Sequence, residues 1–195
     1  MAKSFTSRER ELIQANLIEA CKQCWNRYGY HKTGVRELAE LANISTGAFY
    51  QFYASKELLF VATAQRYQQE LIDLFHRTMA ERPNKRGVAA ALKAIIAATS
   101  DLAWLRSMWA EWPVIMRKLP PGYLEQDFRA DIARITDIVA RYDLQPTRDP
   151  AAVTQIIDLL LTAVSRQDYL PGDTRASVDF IVDAVVDALF AEETP

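Results

Sequence analysis

Apolar residues recur at helical spacing over most of the chain, and the pattern predicts an all-α protein. Ile13, Leu17, Ala20, Cys21, Cys24, Trp25 and Tyr28 fall on one face of a first helix. Thr6 and Glu9 have capping-box spacing at its start, and Gly29 is the residue type that commonly ends a helix. In GVRELAELA, Val35, Leu38, Ala39 and Ala42 form the buried side of a short second helix. Asn43 tolerates the left-handed backbone of a tight turn, and Ser45 then caps a third helix. Ile44 just outside that cap and Phe49 inside it make a hydrophobic staple. Ser55 caps a longer fourth helix running through Leu58, Leu59, Ala62, Tyr67, Leu71, Leu74 and Phe75 until RPNKRG breaks it.

Beyond that break, helical segments are expected near 86–100, 101–118 and 123–142, with two more after QPTRDP. AAVTQIIDLLLTAV is apolar nearly all round, as a helix buried on several sides should be. In RASVDFIVDAVVDALF, Asp179, Asp183 and Asp187 form a strip opposite Val178, Ile181, Val182, Val185 and Leu189. A monomer of 195 residues would struggle to cover both helices, so a two-fold four-helix bundle is the preferred expectation, with an intramolecular core helix beside an edge helix as the alternative. Its interface would use Ile156, Leu160, Val178, Ile181, Val182, Val185 and Leu189. No run has the alternation of a strand.

Composition adds exclusions. No apolar run approaches the roughly 20 residues of a membrane span, and MAKSFTSRER lacks a signal-peptide core, so a cytoplasmic protein without membrane association is expected. Cys21 and Cys24 spell C-x-x-C, but inside a helical apolar pattern and without a second Cys or His pair, which reads as core rather than redox or zinc chemistry. His31 and His76 are too few and too far apart for a metal site. No phosphate loop, nucleophile elbow or zinc-protease motif occurs, so neither a catalytic residue, a cofactor nor a metal is expected. The formal net charge is −2, yet residues 1–60 carry eight basic against six acidic residues and the remainder fifteen against nineteen. That asymmetry gently favours a nucleic-acid-facing N-terminal end.

Residues 35–52 have helix, three-residue turn, helix, the layout whose second helix enters a DNA major groove. Such a helix needs one packing face, small residues near phosphate and polar groups outside. In TGAFYQFY, Thr46, Tyr50 and Gln51 point away from Phe49, and Gly47 lets the helix N-terminus approach a phosphate. Lys3, Arg8 and Arg10 read as a solvated, frayed terminus rather than a minor-groove arm. A second reading keeps the helices but makes them a small-molecule or partner sensor without sequence-specific DNA binding.

The run GYHKTGVRELAELANISTGAFYQFYASKELLF resembles the DNA-binding segment of the TetR-type (tetracycline-repressor-like) transcriptional regulators. The marks are Gly29-Tyr30, Leu38-Ala39, Ile44-Ser45, Gly47, Tyr50 and Ser55-Lys56-Glu57. The resemblance implies a three-helix DNA-binding domain over residues 1–53 and a larger helical effector-binding and dimerisation domain over 54–195, in a homodimer released from a palindromic operator by a small molecule. It implies DNA contacts from Arg36, Ser45, Thr46, Gly47, Tyr50 and Gln51, with Lys56 gripping the backbone. Phe52 departs from the His or Tyr of relatives and offers no donor, and Tyr53 stands where a buried Phe is usual. On the effector side, DLAWLRSMWAEWPVIMRKL groups Trp104, Met108, Trp109, Trp112 and Met116, which suit an apolar pocket between helices. Arg106, Glu111 and Arg117 there either orient a ligand or face water.

Overall fold

The computed structural model describes residues 5–100, 103–165, 167 and 170–191, without the side chains of residues 103–107 and 109. Among the described residues every regular element is a helix: α1 (Ser7–Lys32), α2 (Val35–Leu41), α3 (Thr46–Phe49), α4 (Lys56–Glu81), α5 (Lys85–Ser100), α6 (Ala103–Met116), α7 (Tyr123–Arg141), α8 (Pro150–Val164) and α9 (Arg175–Leu189). They form two compact units, one from residues up to Gln69 together with Leu102–Pro120, the other from Glu70–Asp101 together with the residues from Pro121 onward.

The start of α1 follows the local chemistry of its sequence. Thr6 accepts from the Glu9 amide at 3.3 Å while the Glu9 carboxylate accepts from the Thr6 amide at 2.8 Å, closing the capping box. Gly29, at φ 75° and ψ 173°, breaks the helix, and one further helical turn carries the chain to Lys32. Tyr28, expected on the buried face, is exposed, whereas Tyr30 beyond the break is fully buried. Within the first unit α1 packs on α6 and α2, and α2 on α3. Its interior holds Leu17, Cys21, Trp25, Tyr30, Leu38, Phe49 and Phe60 at zero exposure. Phe60 lies between two aromatic neighbours, 4.5 Å from the Trp25 ring and edge-on to Tyr30 at 5.2 Å. Both cysteines are buried free thiols, and desolvation pushes Cys24 up to about 11 and Cys21 higher still, so neither is poised as a thiolate.

The second unit packs α5 on α9, α7 on α8 and α8 on α9 around Met79, Val88, Leu92, Val153, Leu160, Val182 and Val186. The expected dimer face is redrawn here. Leu160, Val178, Val182 and Leu189 are at most 8% exposed, all within this protomer's own core, and Ile156 and Val185 pack against it. The cause is α5, which packs on α9 and whose Val88, Leu92 and Ile95 share a core with the α9 valines, while Lys93 and Lys85 pair with the exposed Asp183 at 2.7 Å and Asp187 at 3.1 Å. Of the seven expected residues Ile181 remains exposed, joined by Phe180 on α9 and Leu159 on α8.

Candidate nucleic-acid interface

α2 ends in a tight reversal. The Ala42 amide donates to Leu38 O at 3.1 Å, Asn43 to Glu40 O at 3.1 Å, and Ile44 to Ala39 O at 2.9 Å. Asn43 takes φ 56°, one of two described non-glycine residues with positive φ, as its side chain permits. Ser45 follows in extended conformation, and its hydroxyl accepts from the Ala48 amide at 3.1 Å. α3 is a single turn, prolonged by Gln51 N to Ala48 O at 3.0 Å and Phe52 N to Phe49 O at 2.9 Å. An element this short is held by tertiary packing rather than by its own hydrogen bonds. Phe49 at zero exposure supplies that packing, with Ile44 half-buried.

The opposite edge is open. Ser45, Thr46, Gly47 and Gln51 are exposed, and Tyr50 is 55% exposed with its ring edge-on to Phe49 at 5.4 Å. Among the described residues a Cβ built on Gly47 would meet only the Ser45 hydroxyl, at 3.9 Å, so no described neighbour requires glycine there. Arg36 sits on the outside of α2, its Nε bonded to Glu40 Oε1 at 2.8 Å in an exposed i,i+4 pair. Such surface pairs hold weakly and release a guanidinium to a stronger anion.

Lys56 is placed differently from the sequence expectation. Its Nζ donates to Tyr30 O at 2.9 Å and Thr33 O at 2.8 Å and lies 4.2 Å from the Tyr30 ring centroid. Burial lowers its pKa. The ammonium satisfies carbonyls left open at the end of α1 instead of reaching outward. Tyr53 is half-buried with its ring 6.2 Å from Phe49, and Phe52 carries the Arg10 guanidinium 4.8 Å above its ring.

Sequence reasoning missed the brace beneath this surface. Glu111 on α6 accepts from the Trp25 indole N–H and from the Tyr30 amide, both at 2.8 Å. The Tyr30 hydroxyl donates to Glu57 at 2.5 Å and accepts from Lys118 at 2.8 Å. One signal was available: a carboxylate within the aromatic helix WLRSMWAEWPVIM must find donors if it is not to remain in water. Of the expected pocket residues, Met108 is buried and Trp112 and Met116 are half-buried, while the side chains of Trp104 and Trp109 lie outside the described residues.

Comparison with known proteins agrees with this geometry. The sequence profile of the family described as bacterial regulatory proteins, tetR family, matches residues 17–63. The HTH-type transcriptional repressor Rv1474c of Mycobacterium tuberculosis is 24% identical over 180 residues, covering 92% of this chain and 83% of the relative. Among solved structures, Thermus thermophilus FadR in complex with lauroyl-CoA has a TM-score of 0.65 at 18% identity, covering 93% of this chain and 97% of its own. RolR in complex with resorcinol has a TM-score of 0.62 at 22% identity, covering 94% and 90%. These two likenesses are of fold. The helix-turn-helix geometry and the profile match make residues 17–63 similar to the DNA-binding segment of the tetR family of bacterial regulatory proteins, and the likeness to solved structures extends that fold along nearly the whole length of the chain.

Proposed function

We propose that the protein is a ligand-responsive transcriptional repressor that binds a palindromic operator as a homodimer and leaves it when a small molecule binds. The observation that carries this reading is the exposed edge of Thr46, Gly47, Tyr50 and Gln51 on a one-turn helix anchored through Phe49. Thr46 and Gln51 meet base edges, Tyr50 reaches phosphate, and the free amides at the start of α3 point at the backbone where Gly47 permits close approach. Arg36 adds a phosphate contact from α2 after leaving Glu40. Residues 1–53 serve as the DNA-binding segment and residues 54–195 as the effector and dimerisation part. A DNA partner would be met in the cytoplasm; among the described residues no helix is long and apolar enough to cross a membrane.

Dimerisation uses the apolar outer surface of α8 and α9, where Leu159, Phe180 and Ile181 are 69%, 74% and 44% exposed. The effector binds against α6 beside Met108, Trp112 and Met116, with Trp104 and Trp109 on the same helix. The ligands of the two structural neighbours, a long-chain acyl thioester and a small phenol, differ too much to assign a chemical class here. Release follows when the ligand favours a dimer whose recognition helices no longer match half-sites about 34–36 Å apart. A coupling of about 1–3 kcal/mol is the usual scale of such regulation.

The test is selection of bound fragments from random duplex DNA, followed by titration of the selected sequence across salt concentrations. A regulator yields a palindrome bound with steep salt dependence. Recovery of no preferred sequence would instead indicate a helical sensor without operator recognition.

A further inference from the structure

The N-terminal end of α1 meets the end of the recognition element across a gap of 41 residues in sequence. Phe52, the residue after Gln51, is covered from two directions: Phe5 lies 5.6 Å away ring to ring, and the Arg10 guanidinium stands 4.8 Å above its centroid. Arg10 Nη2 also donates to the Gln51 carbonyl, at 3.4 Å. Among the described residues Arg10 makes no ion pair, and it is exposed. A guanidinium has five N–H donors, and this contact uses one. A stacked, pre-oriented guanidinium with open donors beside a groove-facing helix is the arrangement that receives a phosphate.

We propose that Arg10 is a DNA-backbone contact, held against the recognition element by Phe52, and that it supplies the positive charge which Lys56 does not. This rests on the DNA-binding reading above. Phe52 has no donor of its own, and the Lys56 ammonium is spent on two carbonyls of the protein. Phe52 therefore acts as a positioning residue whose ring sets the guanidinium beside Gln51, in place of a direct contact from position 52. The N-terminal end of α1 then belongs to the DNA site, where the sequence alone suggested a frayed, solvated terminus.

The experiment measures binding of wild type, Arg10→Ala, Arg10→Lys, Phe52→Ala and the Arg10→Ala/Phe52→Ala double variant to a selected operator and to an unrelated duplex, by fluorescence anisotropy from 50 to 300 mM KCl. Losing one phosphate contact per protomer lowers the slope of log K against log salt by about 1 per protomer. Arg10→Ala is expected to show that change with roughly tenfold weaker binding to both duplexes at low salt. Arg10→Lys keeps the slope. Phe52→Ala weakens binding in the wild-type background and has no further effect once Arg10 is alanine, which is the coupling expected of a residue acting through another. Thermal melts of each variant accompany the titrations. Wild-type affinity and slope in Arg10→Ala, or weaker binding with an unchanged slope and a lowered melting temperature, would overturn the proposal, the latter by making Arg10 a structural brace. Failure of the wild type itself to prefer any sequence would overturn the DNA-binding reading, and this inference with it.

Discussion

Glu111→Ala is the perturbation whose consequence follows most directly from the structure. One carboxylate oxygen accepts from both the Trp25 indole and the Tyr30 amide at 2.8 Å, and Trp25 and Tyr30 are both at zero exposure. Truncation leaves two interior donors without their acceptor. Hydrogen bonds to a charged group contribute about 1.5–3 kcal/mol each, so the ceiling is about 6 kcal/mol. Glu111 is itself half-buried, and water entering the vacated space recovers part of this, which brings the expected loss to about 3 kcal/mol. For a chain of this size that corresponds to a melting temperature lower by about 6–12 °C. The four tryptophans, at positions 25, 104, 109 and 112, all fall within the first unit, so intrinsic fluorescence reports the unfolding of that unit. Glu111→Gln keeps an acceptor oxygen and loses the charge, and its melting temperature is expected between those of wild type and Glu111→Ala. A fluorescence-detected melt of Glu111→Ala within about 2 °C of wild type would refute the claim that this carboxylate braces the end of α1.

Three further outcomes are expected. A Cβ at Gly87 would stand 1.7 Å from Arg82 O, a backbone atom of the α4–α5 turn, so Gly87→Ala forces that turn to move at a cost of about 3 kcal/mol, read by far-ultraviolet circular dichroism in urea. Lost hydration and then the neighbouring Asp131 charge push the Asp158 carboxyl up to about 6. The folded state then holds this proton more tightly than the unfolded chain, so stability falls as pH rises from about 4 to 6. Asp158→Asn should be more stable than wild type at pH 7 and lose the advantage near pH 4, whereas parallel pH profiles would contradict the cause. Tyr50→Ala should weaken operator binding about tenfold while the sedimentation profile stays that of wild type, and an unchanged titration would count against a phosphate role for Tyr50.

What the sequence made legible was whatever a few neighbouring residues determine among themselves. The Thr6–Glu9 box, the left-handed Asn43 and the Ser45 cap close rings of three or four residues, and each forms as read. The likeness of residues 17–63 to the tetR-family profile likewise was readable, because its marks cluster around that same turn. Elsewhere a local period could not say which of two apolar faces meets the protein's own interior. Tyr28 faces out and Tyr30 in because the Gly29 break shifts the register between them. The valines of α9 suited a partner subunit as well as they suited the core, and the apolar face of α5, far earlier in the chain, packs on α9 and shares that core with them. Lys56 carries the charge a DNA contact needs, yet the end of α1 lies nearer and its carbonyls are left open. Arg10 shows the converse, a residue set aside as terminal whose place beside Gln51 is visible only once the chain has folded.

The central claim is that the Thr46, Tyr50 and Gln51 edge of α3 lies in the groove of a bound operator. Replacing Thr46 by a photoreactive amino acid and irradiating the complex tests it directly, with the same group at exposed Leu124 on α7 as the comparison. Cross-links from position 46 to bases within each half-site, with none from position 124, are the predicted result. A bound complex that yields no DNA cross-link from position 46 would contradict the account.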